Sequence, residues 1–362
     1  MKIDGTPTRT LRADPERRVI EIIDQTRLPL ELCWLRVDTL AAAARAIGEM
    51  QVRGAPLIGA TAAYGLALAL AGDAADARLD EAVAILGATR PTAVNLRWAL
   101  ARMRQKLSPL APAQREAAAW AEAAAIAEED VAQNRAIGEH GRELLCRLPP
   151  RRAGVLHVMT HCNAGWLATV DYGTALAPVY AAHDSGLAVH VWVSETRPRN
   201  QGLLTTWELA QHGVPHTVIV DNAAGLLLRQ QRVDAVITGA DRIAANGDVA
   251  NKVGTYLKAL ACADNGVPFY VAAPRPTFDF ACPDGEAIPI EERDGDELRQ
   301  IQGRDAAGRP STLWQLPPGA AVGNPAFDVT PARLITALIT ERGVSPASRA
   351  GLRTLYPEAG HD

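Results

Sequence analysis

The chain lacks most of the features that quickly narrow a function. Its five cysteines, Cys33, Cys146, Cys162, Cys262 and Cys282, are odd in number and include no C-x-x-C pair. Neither a zinc site nor a disulfide framework is expected, and no metal is assigned. There is no block of Lys or Arg, and a net charge of -4 with 22% charged residues is ordinary. Without a basic stripe, nucleic acid is not expected as a partner. The apolar run Leu66 to Ala71 is far too short to cross a bilayer, and Met1-Lys2-Ile3-Asp4-Gly5-Thr6 has no apolar signal region. No membrane partner is expected, and the cytoplasm, where thiols stay reduced, is the expected compartment. There is no G-x-x-x-x-G-K-[ST], and the first strand-to-helix turn of the second half carries no G-x-G-x-x-G. A small phosphorylated ligand is therefore favoured over a dinucleotide cofactor.

What is present is organised around Val155-Leu156-His157-Val158-Met159-Thr160-His161-Cys162-Asn163-Ala164-Gly165. An apolar run of strand character stops at a small polar turn, and an alanine-rich helical pattern follows. In parallel α/β sheets such a turn faces the ligand crevice at the carboxyl ends of the strands.

A length of 362 residues suits two domains. The first, residues 1–150, begins with polar/apolar alternation, clearest at Arg18 to Asp24, which predicts a small sheet. Helical patterns follow at Thr39 to Met50, Leu57 to Leu70, Asn95 to Leu107 and Gln114 to Leu145. The break falls at Leu148-Pro149-Pro150-Arg151-Arg152. In residues 151–362, strands at 155–159, 189–193, 217–220, 235–238 and 269–272 alternate with helices at 166–183, 205–212, 223–231 and 252–264. That alternation predicts an α/β fold: a Rossmann-like, doubly wound, mostly parallel sheet beside a mainly helical N-terminal domain. Residues 274–321 read as an irregular excursion with a short strand at Ala287 to Ile290. Thr330-Pro331 reads as the start of a helix running to about Arg342, with a loosely packed tail after Gly343.

Polar clusters follow three of the strands: Thr160 to Gly165, Ser194 to Gly202, and Gly239-Ala240-Asp241-Arg242 on to Asn251-Lys252. They are expected at one sheet edge. Asn251-Lys252, just before a helix start, predicts a phosphate site there, and Arg53-Gly54-Ala55-Pro56 has the same character. Duller readings stand beside these. Cys33, Cys146, Cys262 and Cys282 read as small buried hydrophobes. Asp241 can cap a turn, and Glu195 with Arg197, or Asp241 with Arg242, can be loop-holding ion pairs. His161 and Cys162, as sequence neighbours, are expected to point apart.

Taken together these four stretches, in this order, resemble the 5-methylthioribose-1-phosphate isomerase family, whose fold is shared by ribose-1,5-bisphosphate isomerases and by regulatory subunits of a translation-initiation exchange factor. The resemblance implies aldose-ketose isomerisation of 5-methylthio-ribose 1-phosphate in methionine salvage, by a homodimer without metal or nucleotide cofactor. It implies Cys162 and Asp241 as the catalytic pair. Arg53, Gly54, Ala55, Arg90, Gln201, Asn251 and Lys252 would bind the sugar phosphate, with Arg90 resting on the shorter match Arg90 to Leu96. A departure is Pro198-Arg199-Asn200-Gln201, where many members carry an apolar residue before the glutamine. Isomerases of 5-deoxyribose 1-phosphate or ribose 1,5-bisphosphate, and a non-catalytic regulatory subunit, are the alternatives.

Overall fold

The structure, a computed structural model, describes residues 1–152 and 154–360. After a short hairpin of Lys2–Ile3 with Thr6–Pro7 comes an antiparallel sheet, β1 (Leu11–Asp14), β2 (Val19–Ile23) and β3 (Trp34–Val37), in that spatial order. Ile20 and Ile22 of β2 join the core of the helices that follow, whereas Ile23 packs with Trp166, Leu167 and Leu204 of the second half. The small sheet therefore bridges two cores.

The helices are α1 (Leu40–Gly48), α2 (Ala55–Ala69), α3 (Asp76–Thr89), α4 (Val94–Leu107) and α5 (Pro112–Cys146). α3 has no counterpart in the sequence reading. α2 is buried on nearly every side, as its Ala, Gly and Leu composition requires. At 35 residues, α5 spans roughly 50 Å at the usual helical rise. Its N-terminal half packs Trp120 and Ile126 with α2, and its C-terminal half gives Ile137 and Leu145 to the core of the second half.

The second half contains β4 (Leu156–Thr160), α6 (Ala177–Asp184), β5 (Val189–Ser194), α7 (Gln201–His212), β6 (His216–Ile219), α8 (Ala223–Arg229) and β7 (Ala235–Thr238). It continues with β8 (Arg242–Ala244), β9 (Val249–Lys252), α9 (Thr255–Asn265), β10 (Phe269–Ala272), β11 (Phe278–Asp279), β12 (Phe327–Thr330), β13 (Ala337–Thr340) and β14 (Gly343–Ser345). Seven strands form one sheet in the order β14-β13-β10-β7-β4-β5-β6, parallel except for β14. This is the α/β, Rossmann-like, doubly wound architecture, with its topological switch between β4 and β7. A smaller sheet, β11-β8-β9-β12, stands beside it.

Several expected elements differ. The helix expected over Trp166 to His183 is a single turn at Trp166–Ala168 followed by α6, because Tyr172 (φ 68°) and Gly173 (φ 82°) turn the chain between them. Asn251 and Lys252 end a strand, and α9 begins only at Thr255. Ala287 to Ile290 is no strand: Asp284 caps a turn at Gly285–Ala287, and Ile288 anchors a small core. The helix expected from Thr330 to Arg342 is replaced by β12, a turn at Ala332–Leu334, and β13. Leu338 and Ile339 of β13 are fully buried beside β10, where a β-branched apolar run is better placed than in a helix. The tail is tied down as well, by a helix at Arg349–Leu355, buried Leu352 and Tyr356, and a bond of 3.0 Å from the Tyr356 hydroxyl to Glu341. No helix among the described residues is long and apolar enough to cross a membrane.

Candidate active site

The switch point explains where the chemistry gathers. β4 and β7 are neighbours, with Val158 opposite Ala235 and Met159 opposite Val236, so the turns that follow them are adjacent. Cys162 lies two residues past the end of β4 and Asp241 three past the end of β7. Cys162 holds φ at 68°, a left-handed conformation that a non-glycine residue keeps only when its surroundings enforce it. Its N–H donates to Thr196 Oγ1 at 2.8 Å, and its carbonyl accepts from Thr205 Oγ1 at 2.9 Å. The Thr196 loop is in turn gathered by the Asp221 carboxylate, which accepts from the Thr196 and Arg197 N–H groups at 2.8 Å each and from the Ser194 hydroxyl.

All nine residues expected at the site line one cleft of about 830 Å³, mouth included: Cys162, Asp241, Arg53, Gly54, Ala55, Arg90, Gln201, Asn251 and Lys252. They come from both halves of the chain. Arg53 donates to the Gln25 carbonyl at 3.1 Å, and its Nε has no partner. Burial first, then the charge of Arg199, lowers Arg53 to about 10, so it stays charged at neutral pH. Arg90 is lowered by burial and then by Arg293. Lys252, also lowered by burial, donates to the Ala326 carbonyl at 2.8 Å and lies 4.8 Å from the centre of the Phe327 ring. Among the described residues no carboxylate pairs with these three cations. A buried cationic cleft of this kind favours an anionic ligand.

Two further arginines line the cleft, but their charge is already answered. Arg199 and Arg293 each approach Glu297 at 2.7 Å, and Arg293 also approaches Glu291 at 3.2 Å. Burial pushes Glu297 up, yet the bonds from Arg293 and Arg199 outweigh it and hold the carboxyl down at about 2.

Two expectations about glycine and helix ends change. The N-terminus of α9 is not open to a phosphate, because Asp328 accepts from the Gly254 N–H at 2.6 Å and the Tyr256 N–H at 3.1 Å. The chain supplies its own anion there. Gly54 caps α2 with φ 87°, and a Cβ would lie 2.2 Å from the Ala168 carbonyl oxygen. Its lack of a side chain is demanded by packing against the segment after Cys162, in addition to the closeness to ligand that the sequence suggested.

Cys162 and Asp241 are perturbed in the same direction. Burial raises the Cys162 thiol to about 11, against the pull of Lys252. It also raises the Asp241 carboxyl, against Lys252 and Arg90, and no donor among the described residues bonds that carboxyl. His161 does not serve as a base for the thiol. Its Nε2 meets the Val253 carbonyl at 2.8 Å and its Nδ1 faces Thr196 Oγ1 at 3.3 Å. Nδ1 is also 3.8 Å from Asp221, but burial and then Lys258 lower the ring to about 3, so it is neutral at pH 7 and no ion pair forms.

The loop-holding ion pairs are absent among the described residues. Arg197 donates to the carbonyls of Pro198 and Leu298, and Arg242 pairs with Asp279 at 2.7 Å. Cys262 and Cys282 are buried as expected, Cys33 is half-buried, and Cys146 is exposed at the end of α5. Asn200, at the departure noted above, caps α7 with φ 53°, a conformation asparagine tolerates. The sequence reading missed Met50, Asn163, Arg199, Arg293 and Phe327 as lining residues. Asn163 and Arg199 stood inside motifs already singled out. Met50, Arg293 and Phe327 carried no signal, since each reaches the cleft from an otherwise unremarkable stretch.

Comparison with known proteins agrees with this geometry. The model of the initiation factor 2 subunit family matches residues 51–347. The methylthioribose-1-phosphate isomerase of Dechloromonas aromatica is 74% identical over 99% of each chain. The solved 5-methylthioribose 1-phosphate isomerase of Pyrococcus horikoshii is 39% identical, covering 97% of this chain and 96% of that one, with a TM-score of 0.83. A structure described as translation initiation factor eIF-2B, subunit delta, from A. fulgidus is also 39% identical, covering 97% of this chain and all of that one, with a TM-score of 0.79. The chain belongs to the initiation factor 2 subunit family and, within it, to the methylthioribose-1-phosphate isomerases.

Proposed function

We propose that this chain is an aldose-ketose isomerase that converts 5-methylthio-ribose 1-phosphate to 5-methylthio-ribulose 1-phosphate in methionine salvage. The observation that carries the reading is the cleft itself, with a half-buried thiol and a half-buried carboxyl just past adjacent strand ends facing Arg53, Arg90 and Lys252, cations that lack carboxylate partners among the described residues. These three, with Gly54 and Ala55 at the start of α2, hold the phosphate; Gln201 and Asn251 contact the sugar. Met50 and Phe327 supply an apolar wall suited to a methylthio group. A second phosphate is less well served, since the charges of Arg199 and Arg293 are already taken by Glu297 and Glu291.

A phosphate on the anomeric oxygen prevents the ring from opening as a free aldose does. Cys162, as thiolate, removes the proton from C2, and the electron pair forms a C1–C2 double bond as the bond from C1 to the ring oxygen breaks. Asp241, protonated, gives its proton to that oxygen. The enol phosphate then ketonises: the C2 hydroxyl loses its proton and C1 gains one. Solvent deuterium at C1 of the product tests this route, because a direct hydride shift from C2 would carry none.

The chain acts as a homodimer in the cytoplasm on this reading. Val218 on the edge strand β6, Val220 just beyond it and Leu226 on α8 stay exposed, which supports self-association, and light scattering on the purified protein tests it. Phosphorus NMR tests the function. Conversion of the anomeric phosphate to a primary ester, abolished by Cys162→Ser, is the expected result. Binding without conversion would favour a regulatory subunit.

A further inference from the structure

Cys162 keeps its left-handed turn through contacts that the catalytic assignment leaves unexplained, and several of them run to one face of α7. Thr205 and Glu208 lie one turn apart on that helix and so point the same way. Both are buried, Glu208 to 2% exposure. The Thr205 hydroxyl donates to the Cys162 carbonyl at 2.9 Å and accepts from Asn163 Nδ2 at 3.1 Å. Glu208 Oε1 accepts from Asn163 Nδ2 at 2.6 Å, and Oε2 accepts from the Leu167 N–H at 3.1 Å. Between these contacts, a Cβ on Gly165 would stand 2.0 Å from Glu208 Oε1, so glycine there lets the carboxyl lie against the turn. Residues 162–167 are thus wrapped round two side chains of one helix. Burial raises the Glu208 carboxyl to about 8. In either protonation state each oxygen keeps a lone pair for its partner, so the grip persists across neutral pH. Neither residue lines the cleft, whereas Cys162 does, and its thiol feels the charges of Lys252, Asp241 and Arg53.

We propose that Glu208 and Thr205 are positioning residues for the isomerisation, holding the turn in the conformation that presents the Cys162 thiol to the bound sugar. The inference rests on the sugar-phosphate reading above. The site specifies a carboxyl over an amide. Glutamine offers one acceptor oxygen, and its NH2 would meet either Asn163 Nδ2 or the Leu167 N–H, donor against donor. The Thr205 oxygen, whose proton is already given to Cys162, opposes a compensating flip of the Asn163 amide. The turn must then shift, and a displacement of about 1 Å at a reacting group costs on the order of 10²-fold in rate. Arg53, Arg90 and Lys252 are carried by other segments, so binding of the sugar phosphate should be kept.

The test measures kcat and KM for 5-methylthio-ribose 1-phosphate on the full chain as wild type, Glu208→Gln, Thr205→Val and Thr205→Ser. Each is assayed well below its unfolding midpoint, so that lowered stability alone leaves the rate per folded molecule where it was. Glu208→Gln is expected to lose about 10²-fold in kcat with KM within about threefold of wild type. Thr205→Val should lose about tenfold in kcat, and Thr205→Ser, which restores the hydroxyl, should return close to the wild-type rate. If Glu208→Gln does not fold, the two Thr205 variants decide. Undiminished kcat in Glu208→Gln, a loss carried mainly by KM, or equal rates for Thr205→Val and Thr205→Ser would overturn the inference while wild-type turnover leaves the function standing. A wild type that converts no sugar removes the function and the inference together.

Discussion

Asp241→Asn is expected to change the shape of the pH profile as well as the rate. With its thiol at about 11, Cys162 is ionised in roughly one molecule in ten thousand at pH 7. Asp241 is raised from its ordinary 3.8 but must still be protonated to act as the acid. The reacting form, thiolate with protonated carboxyl, carries the same number of protons as its tautomer, thiol with carboxylate. Between the two pKa values its fraction is therefore constant, and kcat/KM of the wild type should be level across neutral pH. It should fall below the Asp241 midpoint and above about pH 11. Asparagine removes the acid and the exchange partner together. The residual route then needs only the thiolate, so its kcat/KM should be about 10²- to 10⁴-fold lower at pH 7. From there it should climb about tenfold per pH unit toward pH 10, with its midpoint somewhat below the wild-type value because the Asp241 charge that raises the thiol is gone. Initial rates by phosphorus NMR from pH 7 to 10 measure this, in a range where the substrate phosphate is already a dianion. A residual rate that stays level over those three units would refute thiolate action and leave a hydride shift assisted by the neutral thiol.

Three further outcomes follow from the same geometry. Gly54→Ala should cost at least about 3 kcal/mol in urea unfolding, because the new methyl meets the Ala168 carbonyl oxygen at a left-handed φ; an unchanged midpoint would show that the Ala168 segment moves freely. Burial works to raise the Asp221 carboxyl, but the Ser194 hydroxyl and the Arg197 N–H outweigh it and hold the group below its ordinary 3.8. Its contribution to stability is then present above about pH 4 and lost as pH falls through the folded value, so Asp221→Asn should be less stable than wild type at pH 7, with the gap narrowing toward pH 3; a constant gap refutes the linkage. Lys252 favours the ionised forms of both Cys162 and Asp241. Lys252→Met should therefore move both limbs of the pH profile upward and raise KM about tenfold or more through loss of a phosphate contact, and limbs that stay in place would show that its charge is not felt at either group.

Much of this was legible in the sequence where one residue type answers to one local rule. The β4, β5, β7 and β10 runs are apolar and bounded by polar turns, and the structure places strands there within a residue or two. The switch-point turns that carry Cys162 and Asp241 followed from that alternation. Illegible were the features decided by tertiary packing. β13 reads as a helix with a good N-cap until β10 is seen beside it. Arg293 lies within the stretch read as irregular, which holds an antiparallel hairpin of Gln300–Arg304 with Pro310–Trp314, and Phe327 lies just past it; nothing in their neighbours announces that the chain folds back over the cleft.

The misreading at α9 bears on how the cleft selects an anion. A helix start preceded by lysine is a fair phosphate signal, yet Asp328, some 70 residues on, reaches back to occupy it. That occupancy keeps a bound phosphate from settling against α9, and Lys252, tethered to the Ala326 carbonyl on the segment that leads into β12, is left to face the cleft. Glu297 does the same for Arg199 and Arg293. With α9 capped and those two arginines neutralised, the unanswered charge is concentrated on Arg53, Arg90 and Lys252, around the thiol and the carboxyl. All five of these residues line the same cleft, so the charge that Asp328 and Glu297 leave unanswered lies beside the thiol and the carboxyl rather than at a helix end.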